Sequence, residues 1–130
     1  MTAQDNADLI RSGYEAFGKG DIPAVVAMWS DDIVWHVPGR NPLAGDYTGA
    51  QEVVGFFGQL QELSGGSFSL ELHDLLASDD HVVALVREMA IRGDNSLNNP
   101  SVHIWHVLDG KATEFWAAPY DVYAGDEFWS

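Results

Sequence analysis

The sequence predicts an α+β fold, with about three N-terminal helices packed on one side of a curved antiparallel sheet. Three observations carry this expectation. Up to Leu63, apolar residues recur mainly at helical spacing, with one short β-rich run between. From Ser67 the period changes to two. The second half is then cut by turn signals at Ser78-Asp79-Asp80, Gly93-Asp94-Asn95 and Asp109-Gly110, which fold it into a meander. No repeat or linker interrupts the chain, so residues 1–130 read as a single domain.

Thr2-Ala3-Gln4-Asp5 supplies a cap for the first helix, and Leu9, Ile10, Gly13, Tyr14 and Phe17 share one side of it. Tyr14 lies in the middle of that stripe, where a phenol needs a hydrogen-bond partner. Gly18 and Gly20 end the helix. Asp21 caps a second one, with Pro23 in the first turn and Ile22, Val25, Val26 and Trp29 on its apolar side. Ser30-Asp31-Asp32 is expected to stop it. Ile33–Val37 is a β-branched and aromatic strand ended by Pro38-Gly39. Arg40 and Asn41 follow on a polar loop, with Asp46 and Tyr47 as turn and cap residues. Thr48 and Gln51 read as a capping box for a third helix with Val53, Val54, Phe56, Phe57 and Leu60 on its apolar side, stopped by Gly65-Gly66.

Phe68, Leu70 and Leu72 then alternate with Ser69, Glu71 and His73. Long strands follow at 81–92, 97–108 and 111–119. The tail ends in Asp-Glu-Phe-Trp, whose aromatics are expected to close over another part of the molecule. Strand 97–108 is apolar on both faces. Helices cover one, and a second subunit is the simplest cover for the other, so a homodimer is expected.

Composition narrows the function. Twenty acidic residues against six basic ones give a net charge of −14. The six cations are scattered, which argues against nucleic acid, anionic membranes and phosphate-rich cofactors as partners. The absence of cysteine removes disulfides, thiol catalysis and Cys-ligated metals. The N-terminus has no signal-peptide pattern and no run is long enough to span a membrane, so a cytoplasmic protein is the default. His103 and His106 are three apart on a strand and face opposite ways. His73 and His81 flank a turn without a third ligand. No metal site is therefore expected.

GDIPAVVAMWSDDIVWHVPG, LAGDYTGAQEVVGFF and the hairpins ending in DGKATEFW resemble the SnoaL-like polyketide cyclases. They also resemble the wider cone-shaped group that includes ketosteroid isomerase and nuclear transport factor 2 (NTF2-like, cystatin-like). The resemblance covers nearly the whole chain. It implies a conical pocket between sheet and helices, no metal or organic cofactor, and a dimer. Within it, Tyr14 falls where the isomerase has a tyrosine donating to the substrate oxyanion, and His103 where it has a second donor. The isomerase's base, an Asp before the strand-ending Pro, corresponds here to Val37, with His36 one residue earlier. Asp121 lies near an acid/base Asp of the cyclases.

The expected catalytic set is therefore His103, Asp121 and Tyr14, acting by proton removal next to a carbonyl with Tyr14 holding the oxyanion. His36, Trp35, Phe57, Trp105, Trp116 and Trp129 are the expected contacts to a small, flat, apolar ligand. The chemistry expected is cofactor-independent isomerisation or cyclisation of an apolar carbonyl or epoxide compound of polyketide, terpenoid or steroid type. Epoxide hydrolysis and dehydration stand beside it within the same fold. The alternative is a non-catalytic carrier or dimer scaffold.

Overall fold

The computed structural model describes residues 2–130. Six strands form one curved, open sheet, and helices cover one of its faces. In chain order the elements are α1 (Ala3–Gly18), α2 (Ile22–Ala27), β1 (Trp29–Val37), β2 (Gly45–Thr48), α3 (Ala50–Ser64), β3 (Ser69–Ala77), β4 (His81–Arg92), β5 (Asn95–Leu108), β6 (Lys111–Pro119) and α4 (Val122–Trp129). Across the sheet they run β2-β1-β6-β5-β4-β3. The meander β3 to β6 is antiparallel throughout, and β1 joins it by a parallel pairing with β6.

The helix caps follow the sequence. Thr2 accepts from the Asp5 amide at 3.1 Å, and the Asp5 carboxylate accepts from the Thr2 amide at 2.9 Å. Asp21 accepts from the Ala24 amide at 3.2 Å and starts α2. Asp109 and Gly110 both take positive φ, as a two-residue hairpin requires. The core lies between the helices and the inner sheet face, where Ile10, Ile33, Val53 and Val82 are almost wholly inaccessible to solvent. Burial of each such side chain contributes about 1.5–3 kcal/mol.

Four local expectations are corrected. Trp29 belongs to β1 rather than α2, and Ser30-Asp31-Asp32 continue the strand. Trp29 is buried whichever element holds it, so helical spacing could not separate the two. The Ala112 amide bonding Met28 O at 2.8 Å starts the ladder there. Asp46 and Tyr47 form an edge strand opposite His36 and Trp35. Thr48 ends that strand, so Gly49 at φ 83 is the N-cap of α3, with no side-chain cap bond. The Thr48 amide bonds the Glu52 carboxylate instead of completing a box with Gln51. Finally, the tail is a fourth helix, and it buries Phe128 and Trp129.

Candidate active site

The inner sheet face, α1, α3 and α4 enclose a cavity of about 120 Å³. One water needs roughly 10–15 Å³ on the same kind of measure, so this is no packing defect. Nine of its 24 lining residues are Phe, Tyr or Trp. Trp35 stacks on Phe115 with ring centres 3.8 Å apart, and Trp105 meets both edge-on at 5.3 and 4.7 Å. The polar side chains in this wall are Tyr14, Asn41, Glu88 and His103.

Three of those four form one chain of hydrogen bonds. The Trp105 indole N–H donates to the Tyr14 hydroxyl at 3.1 Å. The hydroxyl lies 2.6 Å from His103 Nδ1, and His103 Nε2 lies 3.3 Å from Glu88 Oε1. Burial pushes the Tyr14 phenol far above its ordinary pKa, so it keeps its proton. With the proton kept on the phenol and Trp105 donating to its oxygen, the Tyr14 O–H is placed to donate a hydrogen bond to Nδ1. In that arrangement Nδ1 accepts and the imidazole hydrogen lies on Nε2, on the side of Glu88. Ring stacking reinforces this orientation, since His103 lies at 15° to Tyr14 and edge-on to Phe115.

Strand parity explains the convergence. His103 and Trp105 alternate inward along β5 with Leu97, Asn99, Ser101 and Val107. Glu88 occupies the inward register of β4, continuing Val82, Ala84 and Val86 and followed by Ala90. It is the carboxylate on that face, which also carries Arg92 at the strand's end and is otherwise apolar, and a charge in that register is unusual.

Of the expected ligand contacts, Trp35, Phe57, Trp105 and Trp129 line the cavity. Asp121 does not. It is exposed, its carboxylate accepts from the Ala124 amide at 3.1 Å, and it is the N-cap of α4. His36 and Trp116 are also absent from the wall. Both alternate outward beside inward-facing Trp35 and Phe115, and they stack on the opposite sheet face with ring centres 5.0 Å apart. The β1 bulge falls between Trp29 and Val34, too early to turn His36 inward. His36 is instead held by Asp46 at 2.7 Å and Glu114 at 2.6 Å. His81 contacts Asp80 and His106 instead of His73. Among the described residues no group of three His, Asp or Glu side chains has a metal-binding arrangement.

The β1–β2 loop and α4 meet beside the cavity and supply Asn41 and Leu43, and Val122, Gly125 and Trp129, to its wall. Asn99 clamps the backbone of Asp121, donating to its carbonyl at 2.8 Å and accepting from its amide at 3.3 Å. Asp126 bonds the Arg40 amide at 2.7 Å and Asn41 Nδ2 at 2.8 Å. These bonds hold its carboxyl below the usual carboxylate range. Arg92 holds the carbonyls of Phe128 and Ser130 at the far end. Thus α4 is a cover pinned at its start, middle and end.

Residues 10–115 match the SnoaL-like domain. The chain belongs to the SnoaL-like family. This SnoaL-like protein is 31% identical, over the full length of both chains, to an uncharacterized protein of Mycobacterium tuberculosis. It is similar to Bal32a from a soil-derived mobile gene cassette, at 34% identity, 98% coverage of each chain and a TM-score of 0.95. It shares its fold with an NTF2-like protein of unknown function from Burkholderia pseudomallei, at 24% identity and a TM-score of 0.87 over 97% of this chain and 98% of that one. No helix among the described residues of the SnoaL-like protein is long and apolar enough to cross a membrane.

Proposed function

We propose that this protein is a cofactor-independent acid/base enzyme acting on a flat, apolar carbonyl compound of polyketide or terpenoid type. The observation that carries the reading is Glu88, a carboxylate in an aromatic cavity, oriented by a His103–Tyr14–Trp105 chain. Glu88 takes a proton from the carbon beside the carbonyl, and the electron pair moves onto the carbonyl oxygen. Once protonated, Glu88 no longer attracts the His103 Nε2 hydrogen, which then donates to the new enolate oxygen. Returning the proton to another carbon isomerises the substrate. Attack by the enolate carbon on a second carbonyl closes a ring, and Glu88 returns its proton to the alkoxide that forms. His103 is the oxyanion donor rather than the base, because Tyr14 occupies its free lone pair. Tyr14 positions His103.

The test is hydrogen–deuterium exchange at the acidic CH₂ of 2-tetralone, followed by NMR. The wild type is expected to exceed buffer, and Glu88→Gln to lose about 10²–10⁴-fold of the acceleration. Asp121→Ala, remote from the cavity, should retain it. Exchange no faster than buffer, or undiminished by Glu88→Gln, overturns the enzymatic reading; saturable binding of 2-tetralone without exchange would make the chain a carrier.

We also propose that the chain forms a homodimer through the outer sheet face. Val83, Leu85, Val102, Ile104 and Trp116 leave a half-buried apolar strip there, with no helix over it. Light scattering should give twice the monomer mass for the wild type and the monomer mass for Ile104→Glu. A wild-type monomer at micromolar concentration refutes the dimer.

A further inference from the structure

The cavity wall has an uneven charge. Among the described residues it contains one carboxylate, Glu88, and neither Lys nor Arg. The protein's six cationic side chains all lie outside that wall. Arg92 and Lys111 are spent on backbone carbonyls, and Arg87 on Asn98. Arg11, Lys19 and Arg40 are exposed. Within the cavity Glu88 has only the His103 N–H, at 3.3 Å, as a polar partner. His103 presents no free nitrogen to a ligand, since Nδ1 lies 2.6 Å from the Tyr14 hydroxyl and Nε2 3.3 Å from Glu88.

We infer that Glu88 makes the cavity select its ligands by charge: it admits neutral flat carbonyl compounds, prefers the matching protonated amines and excludes carboxylates. This rests on the reading of Glu88 as a group facing the substrate. An anion entering the cavity leaves water and finds no cation, only another carboxylate in a medium that screens poorly. A protonated amine meets the Glu88 carboxylate and the negative faces of the surrounding rings together. The selectivity bears on substrate class. A compound whose free carboxylate must lie inside the cone is excluded, and the natural substrate carries its carboxyl esterified, absent or outside the mouth.

Three probes with one skeleton test this: 2-tetralone, protonated 2-aminotetralin and tetralin-2-carboxylate, titrated calorimetrically at pH 7 in about 0.5 M salt, where the Debye length is only a few Å. High salt removes the general attraction of a −14 protein for cations. The amine is expected to bind at least tenfold tighter than the carboxylate. Glu88→Gln, which leaves the remaining surface charge in place, should compress the ratio to under threefold, while Asp121→Asn should leave it intact. A carboxylate binding within threefold of the amine on the wild type overturns the inference without any variant. So does a preference that survives Glu88→Gln, or saturable binding of none of the three. Charge preference without 2-tetralone exchange would leave this inference standing and remove catalysis. Exchange without charge preference would do the reverse.

Discussion

Replacing Tyr14 with Phe removes one oxygen and breaks two buried hydrogen bonds. The hydroxyl accepts from Trp105 Nε1 at 3.1 Å and donates to His103 Nδ1 at 2.6 Å. Trp105 is 4% exposed and His103 5%, so neither nitrogen can turn to bulk water. Each orphaned buried group costs about 1–3 kcal/mol, and the pair, less the phenol's own desolvation, gives an expected loss of about 2–4 kcal/mol. For a domain of this length that corresponds to a drop in Tm of about 6–15 °C. It is also a large share of the roughly 5–15 kcal/mol that holds such a domain folded. Urea and thermal unfolding followed by circular dichroism measure it, with the exposed Tyr123→Phe as a control expected to change nothing. Nitrogen NMR of His103 supplies a second readout: the wild type should hold its hydrogen on Nε2. A stability loss under about 0.5 kcal/mol, within the usual range for surface substitutions, or a hydrogen found on Nδ1, would refute the chain of donors from which the catalytic roles are assigned.

Other perturbations test the parts around the cavity. His36 is pulled down by burial, but its bonds to Glu114 and Asp46 outweigh this and its pKa is raised overall. Its contribution to stability is therefore full below the unfolded value of about 6.5 and is lost as pH rises through the folded one. The stability difference between wild type and His36→Gln should shrink from pH 6 to pH 9, and a constant difference refutes this. Gly39 has φ 111, and a Cβ there would collide with Asp126 Oδ1. Gly39→Ala should cost about 1–3 kcal/mol in unfolding experiments, and less in the Asp126→Ala background, where the collision is gone. Asn99→Ala releases both bonds that hold the start of α4, so hydrogen exchange should accelerate over residues 122–129 and stay slow in β4 and β5.

The fold was largely legible because its cues are redundant. The meander strands carry alternation, length and turn chemistry together, and α1 carries spacing and a cap. The elements that escaped carry one cue or none. Gly45–Thr48 is a four-residue edge strand without alternation, visible only through its pairing with Val34–Val37. The end of α2 was misplaced because Trp29 satisfies either period. In α4 the cap at Asp121 was present in the sequence, but Gly125 weakens the helical pattern around it.

The site divides in the same way, and hydrogen-bond direction decides what each residue does. Tyr14 and His103 meet as their resemblance to the isomerase donors implied, and Trp105 follows His103 by parity. Asp121 was placed near the end of the last strand, where proximity along the chain cannot tell a pocket carboxylate from a helix cap. The inward register of Glu88 was readable by applying parity one strand further, since it continues Val82-Ala84-Val86, where a charged side chain is unusual. Even with all four residues in view, the sequence does not rank them. The proposed ranking comes from the buried Tyr14 phenol, which keeps its proton and donates it in a hydrogen bond to Nδ1, so that His103 has no lone pair left with which to act as a base. In the proposed mechanism the Tyr14 side chain, first read as the donor to substrate, sets the tautomer that makes His103 the donor and leaves Glu88 to accept the proton.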